Sequence, residues 1–339
     1  MNNIQTFILK NKSGVSVGLC NIGAGIASVL VPDRNGAMGD VVLGYKNLED
    51  YVGDGPCAGK VPGRFANRIN RGKFSIDGNE YQLVLNTGDG RHHLHGGPEG
   101  FANQFWEGEK MGESVVFTYI SKDGESGYPG NLTAKAKYIL TDENELILEL
   151  SATTDAPTIV NLTNHTYFNL KGEGNGDILD HELQLFANQY LPATDELITT
   201  GEMATVKDSP MDFTKPKLIG KDINEKFDAL VNGKGYDSCW VIDNYKQGKM
   251  RPAAVLSCKE SGRKVEIFTT QPGIQVYTGN WLSGCPTGKC GKSYGDYEGV
   301  ALECQALPDS PNKPNFPNVV LRPDEEYRQT IKFKFSTIK

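Results

Sequence analysis

Short apolar runs with a period of two dominate this chain. In "VSVGLC", "YQLVL", "ELILELS", "KVEIFTT", "IQVYTG" and "TIKFKF", apolar and polar residues alternate, and clusters of Gly, Asn, Asp and Pro separate the runs. Successive side chains of a strand point to opposite faces, whereas a helix repeats every 3.6 residues, so this pattern predicts antiparallel strands joined by turns. Only "KNLEDYV" and "KDINEKF" carry a helical spacing, and both are too short to supply the crossovers of a βαβ dinucleotide fold. The 39 glycines and 17 prolines provide the turns such a sheet requires. With no internal repeat and no linker-like shift in composition, the expected architecture is all-β, a large antiparallel β-sandwich formed as one domain over residues 1–339.

One alternating stretch has an unusual polar side. In "NLTNHTYFNL", residues 161–170, an extended strand would line Asn161, Thr163, His165, Tyr167 and Asn169 along one face and put Leu162, Phe168 and Leu170 on the other. Such a face either meets water or floors a site. A second stretch, "GVALECQALPDSPNKPNFP", places Val300, Leu302, Cys304 and Ala306 on one side and Glu303 with Gln305 on the other. A carboxylate on a strand packed against a core is partly desolvated, which raises its pKa and makes it a usable proton acceptor near neutrality. The prolines at 308, 311, 314 and 317 are expected to hold the following loop extended.

Composition narrows the function. The net charge of -7 and the lack of any basic run exclude a nucleic-acid partner. Nowhere is there an apolar stretch long enough to span a bilayer, and the amino end has no basic start followed by an apolar segment, so a soluble, cytoplasmic protein without a membrane partner is expected. Seven scattered cysteines without a C-x-x-C pair fit reduced thiols better than disulfides or structural zinc.

Several motifs fail on closer reading. "PTGKCGKS" approaches a phosphate-binding loop but has Pro286 at the first glycine position and no helix after it. "GKSYG" matches a nucleophile elbow, yet no histidine follows the last one, His181. "NIGAGIAS" lacks the third glycine of a nicotinamide site. "HHLHGGPE" gives His93, His95 and Glu99 the spacing of a cupin metal site, which needs a further histidine that only His165 or His181 could bring from downstream. The expectation is no metal and no cofactor.

The remaining residues with useful chemistry are Glu303, His165, Asn67 with Arg68 in "GRFANRINRG", and Asp237 in "NGKGYDSCW". A histidine with an ordinary pKa near about 6.5 can give or take a proton, and the others can hydrogen-bond a polyol. Together "GRFANRINRGKFSIDGNEYQL", "HLHGG", "GYPGNL", "NLTNHTYFNL", "ILDHELQL", "GYDSCWVI", "TTQPGIQVYTGN" and "LECQALPDSPNKPNFP" resemble the galactose mutarotases (aldose 1-epimerases), in the family's order and over nearly the whole chain.

That resemblance implies a galactose mutarotase-like supersandwich with an open cleft, no cofactor, a small-molecule hexose as substrate, and interconversion of its α and β anomers by a monomer or weak homodimer. It implies that Glu303 is the proton acceptor and His165 the proton donor. Asn67, Arg68, His95, Tyr167, Asp237 and Gln271 fall on the sugar-binding positions. "TGDGRHHLHGG" is longer than the family's usual approach, which leaves His93 and His95 as alternatives, and Ser238 stands where a histidine commonly follows the aspartate. Two other functions stay open: a mutarotase of hexose phosphates, with Arg64, Arg68 and Arg71 as phosphate partners, and a sugar-binding module without catalysis.

Overall fold

A computed structural model describes residues 3–338. Strands account for most of the regular structure, and every strand-to-strand ladder among the described residues is antiparallel. The largest sheet has nine strands, in the order Lys217–Leu218, Glu182–Leu185, Arg251–Ser257, Arg263–Thr269, Tyr327–Thr337, Glu145–Thr154, Leu132–Leu140, Ser114–Ser121 and Glu107–Met111. A second sheet has six: Tyr167–Phe168, Val300–Gln305, Gly273–Tyr277, Asp237–Val241, Gln189–Leu191 and Ala204–Thr205. A four-stranded sheet over Thr6–Asp40 and three two-stranded ladders complete the set.

The two large sheets share one core. Val115, Leu148, Ile267 and Phe333 from the nine-stranded sheet join Trp240, Ile274, Val276, Val300, Leu302 and Cys304 from the six-stranded sheet in a single buried cluster. Burying such side chains stabilises a fold by roughly 1.5–3 kcal/mol each, which is why the alternating pattern fixes which face of each strand is dry. The opposite face of the six-stranded sheet is the one left for chemistry.

Five of the six alternating runs coincide with strands; the sixth, "YQLVL", leaves its strand Asn79–Gln82 at Leu83, and Val84 and Leu85 are exposed. The helical expectations shift. "KNLEDYV" makes one 3-10 turn at Leu48–Tyr51, and the only α-helix among the described residues, Asp228–Gly233, starts just after "KDINEKF". No helix is long and apolar enough to cross a membrane among the described residues. All seven cysteines are unpaired. The proline loop is not uniformly extended: Asp309 has φ of 57°, and Ser310–Asn312 form a 3-10 turn closed by the Lys313–Asp309 ion pair at 2.8 Å.

Candidate active site

The cross-strand register lays out the floor of the site in rows. Asp237 pairs with Tyr277 and Tyr277 with Ala301; the next row is Cys239, Gln275 and Glu303; the third is Val241, Gly273 and Gln305. Tyr167 extends the first row by pairing with Ala301. Leu307 and Cys239 cover Gly273, so the third row lies outside the cavity. Above this face lies an open cavity of about 490 Å³, lined by Glu303, His165, His95, Asn67, Arg68, Tyr167, Asp237, Gln275, Tyr277 and Trp281, with walls from Asp54, Cys57 and Leu197.

His165 does not reach the cavity on a regular strand. Residues 161–166 form no ladder, and strand structure begins only at Tyr167. The polar residues at alternate positions instead tie the segment to its neighbours. Asn161 accepts the Ala306 N–H at 2.8 Å and donates to the Ala66 carbonyl at 3.0 Å, and Thr163 donates to the Cys304 carbonyl at 2.7 Å. Asn169 donates to the Gly176 and Glu298 carbonyls. Three of the five residues expected to floor a site therefore serve as buried anchors, and only His165 and Tyr167 face the cavity. On its other flank His165 exchanges backbone hydrogen bonds with Gly59 and Lys60, at 2.9 and 2.8 Å. Asn161 and Thr163 bond to the strand that carries Glu303, so the histidine is held in fixed relation to the carboxylate.

The outcome is a close contact. His165 Nε2 stands 3.4 Å from Glu303 Oε1, with residue exposures of only 5% and 2%. Burial pushes the His165 pKa down to about 4. Burial, then the neighbouring Asp237, pushes Glu303 well above the usual carboxylate range, while Arg68 works the other way. Asp237 is itself raised by burial, opposed by Arg68 and by the hydrogen bond it accepts from Gln275 at 2.6 Å. The side chains thus place two carboxyls, two imidazoles and one guanidinium around a single volume, with burial favouring their uncharged forms where it can.

His95 is set differently. Its φ is 53°, and the Asn67 N–H donates to Nδ1 at 3.2 Å. That bond leaves the ring proton on Nε2, making His95 a hydrogen-bond donor on its other nitrogen. Its ring is edge-to-face with His165, centroids 5.3 Å apart, and burial keeps it neutral, its pKa well below the ordinary value. Donor atoms of His95, His165 and Glu303 lie within 4.8 Å of one another, a set a divalent ion could use, but the protonated Nε2 suits a sugar oxygen better than a cation. The turn behind His95 needs Gly96, since a Cβ there would come within 1.6 Å of the Gly63 carbonyl oxygen.

His93 and His95, the alternatives left by the sequence, have different surroundings. His93 is buried away from the cavity, bonded to the Val84 carbonyl and the Tyr128 hydroxyl, each at 2.6 Å, and Glu99 is exposed, so His93, His95 and Glu99 do not converge. Gln271 is a correction: its amide donates to the Leu162 carbonyl at 3.0 Å and to the Tyr327 hydroxyl at 3.1 Å, at the turn before the strand, outside the cavity. The glutamine facing the cavity is Gln275, directly opposite Glu303 in the register. Period-two counting from the glycine at 273 could have found it. Asp237 opens the strand Asp237–Val241.

Two walls are braced from behind. Asp54 is fully buried in an ion pair with Lys60 and accepts the Tyr45 hydroxyl and the Ala58 N–H, both at 2.9 Å. Leu197, with φ of 58°, is carried by a turn whose Glu196 meets His92, Arg71 and Arg91. Lys289 of "PTGKCGKS" is spent on Asp40 and on the Ala27 and Val42 carbonyls.

Comparison with known proteins follows the same lines. Residues 5–334 match the family described as aldose 1-epimerase. Galactose mutarotase of Bos taurus is 42% identical over 333 residues, 98% of this chain and 94% of that protein. Aldose 1-epimerase of Escherichia coli K12 is 37% identical over 330 residues, 96% and 94% of the two chains. Among solved structures, the aldose epimerase homologue from C. elegans superposes with a TM-score of 0.90 at 31% identity, covering 99% of this chain and all of that one.

Proposed function

The chain belongs to the aldose 1-epimerase family, and from that membership we propose that it interconverts the α and β anomers of D-galactose and related hexoses in the cavity floored by Glu303. The observation that carries this reading is the buried contact of His165 Nε2 with Glu303 Oε1 at 3.4 Å, beneath a cavity large enough for one sugar ring.

Opening a pyranose requires a proton to leave the C1 hydroxyl while another arrives at the ring oxygen. Glu303 as carboxylate takes the hydroxyl proton, the C1–O5 bond breaks as the C1 oxygen becomes a carbonyl, and His165 as imidazolium protonates O5. Half a turn about C1–C2 exposes the other carbonyl face. Closure reverses the transfers: O5 attacks C1, its proton returns to His165, and Glu303 gives its proton to the carbonyl oxygen.

The pair holds one exchangeable proton throughout, so the two titrations are coupled. Burial favours the arrangement with a carboxylic acid and a neutral imidazole, which is the one present while the open aldehyde is bound. Arg68 favours the carboxylate and brings the charged arrangement within reach. Asn67, Arg68, His95, Tyr167, Asp237 and Gln275 hold the ring so that only C1 and its substituents move.

A phosphorylated hexose is less well served. Of the three arginines considered, only Arg68 lines the cavity. Arg64 is buried against Ser121 and the Pro129 and Lys122 carbonyls, and Arg71 lies beside Glu196. A binding module without catalysis would need hydroxyl partners but no buried carboxyl against an imidazole. The seven unpaired cysteines support a reducing, cytoplasmic setting. The test is polarimetry of freshly dissolved α-D-galactose with purified protein and a chelator. Accelerated relaxation that withstands chelation is expected, and relaxation at the uncatalysed rate would overturn the proposal.

A further inference from the structure

Gln305 is the neighbour of Glu303 on the same strand face, two residues along, and it plays no part in the scheme above. It is fully buried, yet neither its amide nitrogen nor its amide oxygen has a hydrogen-bond partner among the described residues. Glu303 Oε2, the carboxyl oxygen not in contact with His165, is buried and unpartnered as well. Buried polar groups are almost always satisfied, directly or through an ordered water, because an orphan forfeits its full hydration.

The surroundings leave Gln305 little other choice. Its cross-strand partner is Gly273, which has no side chain to offer. The nearest diagonal amide, Gln275, is committed to Asp237 at 2.6 Å. Nearby Asn161 spends its Oδ1 on the Ala306 N–H and its Nδ2 on the Ala66 carbonyl. A Cβ at Gly273 would meet the Leu307 and Cys239 side chains and, at 3.3 Å, the Trp240 carbonyl oxygen, which is not a hydrogen-bond partner of Gln305. Residues i and i+2 of a strand project side by side, about 7 Å apart, within reach of a glutamine side chain or of one bridging water.

We propose that Gln305 is a positioning residue for the reaction, its amide N–H directed, directly or through one water, at Glu303 Oε2 so that the carboxylate is held for proton transfer with its other oxygen toward His165. This rests on the mutarotase reading of the site. A donor to the carboxylate favours its charged form, so it counters the burial that Glu303 suffers. Other ionisable groups facing Glu303 are His165, His95, Asp237 and Arg68, with Tyr167, Cys57 and Cys239 further along the walls. None of these is altered by a change at 305.

The experiment compares wild type with Gln305→Met, similar in size and without hydrogen-bonding groups, and with Gln305→Glu. For Gln305→Met we expect kcat for galactose to fall about ten-fold with KM within two-fold, and the alkaline limb of the kcat profile to move up by about one pH unit. Thermal stability should change little, because one hydrogen bond to the carboxylate is exchanged for apolar packing of similar size. Gln305→Glu, which sets a second carboxyl beside the first, should move the limb further in the same direction. Infrared titration of the carboxyl band assigned by Glu303→Gln reads the same shift without any turnover, so failure of the wild type to anomerise galactose would count against the proposed function, while an unshifted band would count against Gln305. An unmoved limb with a lowered melting temperature would make Gln305 a structural residue only and overturn the proposal. A limb displaced downward would show the amide oxygen accepting from the carboxylic acid and would overturn it equally.

Discussion

Gln275 donates to Asp237 Oδ1 at 2.6 Å while standing directly across the ladder from Glu303. One amide thus connects the carboxylate at one end of the floor to the row that holds Glu303.

Replacing Gln275 by Leu should therefore weaken sugar binding and release Asp237. A hydrogen bond to a charged group contributes about 1.5–3 kcal/mol, so kcat/KM is expected to fall roughly 10- to 100-fold, mostly through KM. Gln271→Leu is the contrasting variant. It loses two buried bonds at a turn, to the Leu162 carbonyl and the Tyr327 hydroxyl. Its stability should drop by about 1–3 kcal/mol in denaturant melts while kinetics stay within two-fold. The reverse pattern would return Gln271 to the sugar site.

Glu303→Gln and His165→Asn should each lower turnover by about 10²- to 10⁴-fold, the usual contribution of a general acid or base, while galactose still binds. Polarimetry gives the first quantity and calorimetric titration the second. Near wild-type anomerisation by either variant would remove that residue from its role.

The pH dependence follows from the shared proton. Activity needs one proton on the pair. On the acid side a second proton is added at His165, whose pKa is pushed down to about 4, so activity should persist through pH 5 and fall only near that value. On the alkaline side the proton is lost from Glu303, which burial holds well above the usual carboxylate range, so that limb lies higher than an exposed glutamate would set it. Rates of galactose relaxation across the pH range check both limbs. An acid limb near 6.5, the value of an ordinary histidine, would contradict the desolvated geometry.

Trp281 lines the cavity with 61% of its surface exposed, whereas Trp106 and Trp240 are buried in the core. Its ring also carries Lys234, with Nζ 4.5 Å from the centroid. Galactose should change the fluorescence of this one tryptophan, and Trp281→Phe should abolish the signal. A signal that persists in that variant would place the sugar elsewhere.

Glu196→Gln tests the wall behind Leu197. The carboxylate meets Arg71, Arg91 and His92, and it steadies a leucine whose positive φ is unfavourable for a branched side chain. KM should rise several-fold with kcat nearly unchanged, because the reacting pair sits on other elements. A selective loss of kcat would mean that this turn touches the chemistry.

Much of the fold was legible in residue order, because period two is a direct consequence of pleating and the dry face of each strand is simply its apolar set. Glu303 emerged the same way. The segment 161–169 was less transparent: alternation there reflects bonds from Asn161, Thr163 and Asn169 to backbone on other segments, and a side chain that accepts from a distant N–H looks, in sequence, like one that faces solvent. Gln271 and Gln275 differ by four residues and carry the same chemistry, so only the turn at Pro272–Gly273 decides which enters the cavity. The proline loop misled for a related reason, since Asp309 in the left-handed region turns a chain that proline alone would keep straight.

Asn161 and Thr163 fasten the histidine's segment to the strand bearing the glutamate, whereas Arg68 arrives on a separate two-stranded ladder and Leu197 and Trp281 on loops. Warming should consequently degrade the enzyme in two stages: affinity for substrate declines first as the periphery loosens, and the intrinsic chemical rate at saturating sugar endures until the sandwich itself melts.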